Sequence, residues 1–157
     1  MQRATKIMNN SLPFVSIIFP IRNESACIER VLSAVFVQDY PVDLMEVLIA
    51  DGMSSDDTRH YIKKKSSLNP KIDIRILDNL GRIVSTGMNV ALRLAKGDII
   101  IRVDGHTLIA PDYVRQCVEI LQRTHADNVG GKMNAVGSNP FGKAVSLATS
   151  TPFGIGG

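Results

Sequence analysis

What this 157-residue chain lacks narrows its possibilities first. Two cysteines, Cys27 and Cys117, cannot build a disulfide framework or a four-thiolate zinc site, and they fit a reducing compartment. The longest apolar run, around Phe14–Ile21, is broken by Pro20 and falls far short of the ~20 residues that a membrane helix needs. Residues 1–12 are polar and carry no signal-peptide core, so a soluble, non-secreted, cytoplasmic chain is expected. Charge of one sign is scarce: 18 Lys and Arg against 15 Asp and Glu leave +3. That surplus is too thin for a nucleic-acid surface, although the pI near 9.0 tolerates an anionic ligand. Several catalytic signatures are absent too. There is no phosphate loop ending in Lys-Ser or Lys-Thr, no G-x-G-x-x-G after the first apolar run, and no G-x-S-x-G elbow.

What is present reads as one globular domain. The length suits a single unit that buries roughly 68–70% of its unfolded surface without a metal or disulfide staple. Val15–Phe19 is a near-continuous apolar run, as in a strand buried on both faces. Ile28, Val31, Leu32, Val35 and Phe36 then recur on one helical face, with Asn23 or Ser25 as cap. Glu46–Ala50 is a second strand, and Asp56–Ser66 a second helix capped by Ser54 or Ser55. Ile72–Leu77 alternates like an outer strand. Met88, Ala91, Leu92 and Ala95 form a third helical stripe ended by Gly97. Ile99–Val103 is a fourth strand, followed by a helix beginning near Pro111. This alternation predicts an α/β fold: right-handed βαβ units, a mostly parallel sheet and helices on both faces. Five of the 12 glycines precede residue 130 and seven lie in 130–157, where the chain looks cut short.

Ligands of open α/β sheets bind outside the carboxyl ends of the strands. Those ends here carry Asn23 and Glu24, then Asp51, then Asp104 and His106. Each alone reads as a turn former; together on one edge they read as a site. In Arg102-Val103-Asp104-Gly105-His106, an extended backbone would aim Asp104 and His106 the same way, onto one Mn²⁺ or Mg²⁺. An ordinary Asp-Gly turn with a surface histidine is the plainer alternative. Arg102, inside an apolar strand, needs a partner: Asp51 or a ligand phosphate. His60, His125 and Lys63–Lys65 read as solvated surface, and both cysteines as inert packing.

The ordered segments VSIIFPIRNE (Val15–Glu24), IADGMSSDDT (Ile49–Thr58), NLGRIVSTGMN (Asn79–Asn89) and AKGDIIIRVDGHT (Ala95–Thr107) resemble family 2 glycosyltransferases of the GT-A fold. The histidine form of the last motif is similar to exopolysaccharide members such as succinoglycan glucosyltransferases. The resemblance implies a nucleotide-sugar-binding region over 14–157 after a flexible N-terminus, 1–13. It implies that the Pro20–Glu24 loop, with Arg22 and Asn23, wraps base and ribose. Asp51 would accept from a uracil ring, and Gly81, Gly87 and Asn89 would lie beside base and phosphates. Asp104 and His106 would hold a metal on the diphosphate. Three departures stand out. Gly52 replaces a second acid, and Met88 replaces an arginine, leaving Arg82 or Arg102 to meet phosphate. The acidic pair that supplies a general base is expected beyond Gly157. The implied activity is inverting, metal-dependent transfer from a UDP-sugar to a saccharide or lipid-linked acceptor, with little transfer by this chain alone and membrane association compatible with the intact protein. A nucleotide-binding module without transfer is the alternative. A nucleotidyltransferase would want a basic, glycine-rich loop where Pro20-Ile21-Arg22-Asn23-Glu24 stands.

Overall fold

A computed structural model of the chain describes residues 11–131, 135–136 and 140–149. Most of the expected flexible N-terminus and the closing segment 150–157 lie outside the described residues. The chain divides into two compact units, 1–126 and 127–157. In the first, strands β1 (Val15–Ile21), β2 (Met45–Asp51), β3 (Asp73–Asp78) and β4 (Ile99–Arg102) form one parallel sheet in the order β3-β2-β1-β4. Helices α1 (Ile28–Phe36), α2 (Thr58–Ser67), α3 (Val84–Leu92) and α4 (Tyr113–Thr124) follow the strands in turn. In the second unit, α5 (Pro140–Thr149) is an element the sequence reading did not foresee. There Ser146 Oγ donates to the Ala135 carbonyl.

The two inner strands are buried along their whole length, which is why they read as unbroken apolar runs. Ile18, Leu48 and Ala50 face α3 through Ala91, with Met88, Ala95 and Leu77 alongside. Gly87 allows that close approach, because a Cβ there would come within 2.9 Å of Asn79 Nδ2 and 3.3 Å of Pro20 Cβ. On the other face Val15, Ile17, Phe19, Val47 and Ile49 are fully buried, and α1, α2 and α4 contribute Leu32, Ile62 and Val114 to the core. Gln38, just past α1, donates to the Ala110 carbonyl at 2.7 Å and accepts from the Val114 amide at 3.0 Å. It thereby satisfies an amide at the start of α4 that the helix itself cannot.

Several boundaries differ from the sequence expectations for physical reasons. Strand β1 continues through Pro20 to Ile21. Ile18 accepts from Val103 on the β4 side, so Pro20, two residues on, turns its missing donor toward a strand that has already ended. Neither Asn23 nor Ser25 caps α1, and neither Ser54 nor Ser55 caps α2; the cap positions are Cys27 and Asp57, without side-chain bonds. Helix α3 stops at Leu92, not at Gly97, and Leu92 is exposed.

Candidate functional site

The chain runs from β1 to β2 to β3 in one direction, then returns to place β4 on the far side of β1. The crevice beyond the carboxyl ends of β1 and β4 is therefore the topological switch point, where open α/β sheets take ligands. Three loops meet there, and each holds a non-glycine residue at positive φ: Asn23 at 54°, Met53 at 57° and Arg82 at 59°. The left-handed region costs L-residues ~1–2 kcal/mol, so something must hold these loops. The loops hold one another. The Asn23 amide donates to Ser54 Oγ at 2.9 Å, and Asn23 Oδ1 accepts from the Ser55 amide at 2.9 Å. The Glu24 amide donates to Thr58 Oγ1 at 2.8 Å, and the Ser25 amide to Asp56 Oδ2 at 3.1 Å. Burial pushes the Asp56 carboxyl up, but hydrogen bonds from Thr58 and Ser25 outweigh it and bring the pKa from 3.8 to about 2.

Asp51, at the end of β2, is fully buried and already engaged by Ser54 and by the Arg59 guanidinium of α2. Arg59 also reaches Asp78 at the end of β3. Asn79 is the hub of the third loop. Its amide donates to the Asp51 carbonyl at 2.9 Å, its Nδ2 to the Ile83 carbonyl at 2.9 Å, and its Oδ1 accepts from Thr86 Oγ1 at 2.7 Å. The turn so shaped carries Arg82, whose amide donates to the Asn79 carbonyl.

A cavity of about 320 Å³ opens at the switch point. Pro20, Ile21, Arg22 and Glu24 line it from the first loop, Asn79, Arg82, Ile83 and Val84 from the third, and Arg102, Asp104, Gly105 and His106 from the segment after β4. That last segment is not extended. The Thr107 amide bonds the Asp104 carbonyl at 2.9 Å and closes a turn over Gly105, so the two-residue alternation does not apply. Instead His106 Nδ1 lies 3.2 Å from Glu24 Oε1, and Arg102 donates to Asp104 Oδ1 through Nε at 2.9 Å, with Nη2 in ion-pair contact 2.8 Å from the same oxygen. Arg102 thus takes Asp104, not Asp51, as its partner. Gly105 is required, since a Cβ would meet Glu24 Cγ at 2.6 Å. Gly52 has a related role: a Cβ would stand 3.2 Å from Arg22 Cβ and 3.3 Å from Arg82 Cα, so glycine lets those two arginines close in.

Of the residues singled out from the sequence, the cavity gathers Pro20, Arg22, Glu24, Arg82, Arg102, Asp104 and His106. Asn23 serves the clasp between loops, and Asp51 lies buried with its oxygens in use. Gly81 and Asn89 do not line the cavity; Asn89 is in the middle of α3. Asn79 and Arg59 were missed. A polar residue ending a strand was visible at 79, but Arg59 gave no signal because its two acids lie on separate strands. Electrostatically, three guanidinium groups (Arg22, Arg82, Arg102) face two carboxylates (Glu24, Asp104), which suits an anion that brings a cation with it. Among the described residues no three His, Cys, Asp or Glu side chains gather to hold a metal. The set fits a hard divalent ion that takes one or two protein ligands and completes its shell with ligand phosphate and water, as Mg²⁺ commonly does.

The sequence matches the profile of glycosyl transferase family 2 over residues 16–153. Succinoglycan biosynthesis protein ExoA of Rhizobium meliloti (strain 1021) is 35% identical over 143 residues, covering 90% of this chain and 42% of that protein. A Methanococcus voltae enzyme, dolichyl N-acetyl-alpha-D-glucosaminyl phosphate 3-beta-D-2,3-diacetamido-2,3-dideoxy-beta-D-glucuronosyltransferase, is 32% identical over 148 residues, covering 91% of this chain and 46% of that one. Among solved structures, the mannosyltransferase PcManGT from Pyrobaculum calidifontis, in complex with GDP-Man and Mn²⁺, aligns with a TM-score of 0.68 at 31% identity. That alignment covers 71% of this chain and 33% of the other. The chain spans less than half the length of these relatives. With its parallel sheet, covering helices and switch-point cavity in the GT-A arrangement, the chain belongs to glycosyl transferase family 2.

Proposed function

We propose that this chain is the donor-binding part of a metal-dependent, inverting glycosyltransferase that uses a nucleoside-diphosphate sugar, UDP-linked, and a saccharide or lipid-linked acceptor. The observation that carries this reading is the cavity at the switch point, where three arginines and two acids converge. A relative solved with GDP-Man and Mn²⁺ supports the donor class and the ion. In the reaction the acceptor oxygen attacks the anomeric carbon, the bond to the diphosphate breaks with its electron pair, and the hydroxyl proton passes to a base. Arg22 and Arg82 line the cavity with no ion-pair partner among the described residues, and in this reading they would stabilise the departing diphosphate. Helix α3 begins at Val84 on the cavity wall, and the amides of a helix's first turn have no partner within the helix and suit an anion. Asp104 and His106 would hold the ion, with Glu24 orienting the imidazole. When bound, the ion supplies Lewis-acid charge to the leaving group. Calorimetry of UDP and GDP, each with Mn²⁺, Mg²⁺ or EDTA, tests this. Tighter UDP binding with metal is expected, and equal affinity in EDTA removes the metal.

Both cavity carboxylates are occupied, Glu24 by His106 and Asp104 by Arg102, so neither stands free as a general base. We therefore place the base in the length of the relatives that this chain does not span. The same occupancy favours, as a second reading, a nucleotide-binding unit without transfer of its own. General-base help is worth roughly 10²–10⁴ in rate. Incubating the 157-residue chain with UDP-glucose, Mn²⁺ and an oligosaccharide or lipid-linked acceptor should give little product. Turnover equal to that of a chain extended to the relatives' length would put the base within residues 1–157. We place the protein in the cytoplasm, where Cys27 and Cys117 stay reduced. Among the described residues no helix is long and apolar enough to cross a membrane.

A further inference from the structure

We infer that Arg102 holds the Asp104 carboxylate in place of a divalent cation, and releases it when the donor diphosphate arrives to take the guanidinium instead. This rests on the donor-binding reading above and says how that site is kept before the donor enters.

Arg102 is out of place as a packing residue. It ends β4 after Ile99, Ile100 and Ile101, paired with Ile18 of β1, and among the described residues β4 is an edge strand. By register it shares a face with Ile18 and Leu48, but α3 packs on β1 and β2 and leaves the β4 part of that face open. Ile100 is 38% exposed there, and the Arg102 side chain 50%. An ordinary edge residue would leave its charge in water. Arg102 instead turns both Nε and Nη2 onto the single oxygen Asp104 Oδ1, at 2.9 and 2.8 Å. Both residues line the cavity. Among the described residues no other partner of the Asp104 carboxylate is found. The pair is therefore local, solvent-facing and weak enough to exchange, since exposed ion pairs are worth only ~0–1 kcal/mol.

The consequence follows from charge. A guanidinium held on Oδ1 weakens the same carboxylate for a divalent cation, because the two cations repel at close range. Without nucleotide, a cation must compete with Arg102. With nucleotide, the released guanidinium meets phosphate on the same cavity wall, where its planar fork is well matched. Metal and nucleotide then favour each other through Arg102 as well as through any direct contact, and that coupling is reciprocal.

The test uses the 157-residue chain, with free aqueous Mn²⁺ followed by its paramagnetic resonance signal, with and without UDP. Arg102→Gln should bind Mn²⁺ alone about two- to five-fold more tightly than the parent, the range expected for removing one exposed ion-pair competitor. Its gain on adding UDP should shrink by a similar factor. Arg102→Lys, which keeps the charge and loses the fork, should fall between. Thermal melts check that each variant is folded, which the exposed edge position favours. Unchanged or weaker Mn²⁺ binding by Arg102→Gln, or equal tightening by Gln and Lys, overturns the inference. Asp104→Asn separates this from the parent reading. If it loses Mn²⁺ while Arg102→Gln is neutral, only the role of Arg102 fails. If it binds Mn²⁺ as well as the parent, the ion is not on Asp104 and the proposed metal site fails with it.

Discussion

The two ends of the sheet use similar side chains to opposite effect. At the end where β1 and β2 begin, Glu46 is fully buried. Its Oε1 accepts from Ser16 Oγ at 2.6 Å and from the Lys96 amide at 2.7 Å, and its Oε2 pairs with Arg75. Ser16 Oγ also accepts from the Gly97 amide at 2.8 Å, and a Cβ at Gly97 would strike the Ser16 amide at 2.5 Å. Burial pushes the Glu46 carboxyl up, yet Ser16, the Lys96 amide and Arg75 together hold it below the usual range. Only Arg75 Nε is buried without a hydrogen-bond partner among the described residues, with Asp73 Oδ2 3.8 Å away. At the opposite end, three backbones sit in the left-handed region, Arg22 and Arg82 have no ion pair among the described residues, and Arg102 and Asp104 meet in solvent. Where every charge finds an internal partner, the cluster pins the connection from α3 to β4. Where partners are left out, the charges remain available to a ligand.

The most severe way to break this contrast is Glu46→Ala. It strands the Ser16 hydroxyl, the Lys96 amide and the Arg75 guanidinium, and breaking a buried pair by removing one partner costs ~3–5 kcal/mol. Arg75 is a third exposed, so the loss should fall at the lower end of that range. Nucleotide affinity of the folded fraction should not change, since the seven-residue strand puts roughly 20 Å between the two ends. Urea unfolding that shows a loss below ~1 kcal/mol would make the Glu46 cluster a surface-like feature and dissolve the distinction.

The alternation of strands and helices was readable because β-branched runs and helical stripes are local patterns. The caps were not. Asn23, Ser54 and Asp56 looked like helix starters, but their partners lie in the neighbouring loop, about thirty residues away in sequence. Asp104 and His106 were readable as residues of the strand-end site and misread as geometry: alternation needs an extended chain, and a turn runs over Gly105. Arg102 was recognised as needing a partner, yet two candidate acids could not be ranked without the fold. Helix α5 was hidden by the glycines around it, although Pro140 at its first position is a common start signal.

A smaller perturbation sharpens the contrast from the ligand end. Arg82 is exposed and holds φ at 59°, a conformation that costs an L-residue ~1–2 kcal/mol and glycine almost nothing. Glycine loses more backbone entropy on folding, which returns roughly 0.5–1 kcal/mol of that gain. Arg82→Gly should therefore leave the chain as stable as the parent, or more stable by up to ~1 kcal/mol, while UDP binds more weakly. Stability and binding moving apart is the mark of strain kept for function. If a melting curve and a UDP titration both worsen, Arg82 is a structural residue and the cavity wall has been misassigned.

The smallest effect concerns the clasp itself. Asp56 is exposed, yet its hydrogen bonds from Thr58 and Ser25 overcome the effect of burial and bring its pKa from 3.8 to about 2. A folded pKa below the unfolded one means the carboxylate adds stability above about pH 4, and that contribution is lost as pH falls through about 2. Solvent screening keeps it under ~1 kcal/mol, so an unfolding curve at neutral pH will barely register it. The carboxyl carbon resonance of Asp56 will, and its titration midpoint should lie near 2. Asp56→Asn keeps one acceptor and should leave the Ser25 amide partly protected from exchange, whereas Asp56→Ala should expose it. An Asp56 midpoint at its ordinary value, with Ser25 equally unprotected in all three proteins, would mean Asp56 takes no part in the clasp, leaving Asn23 and Glu24 to join the two loops.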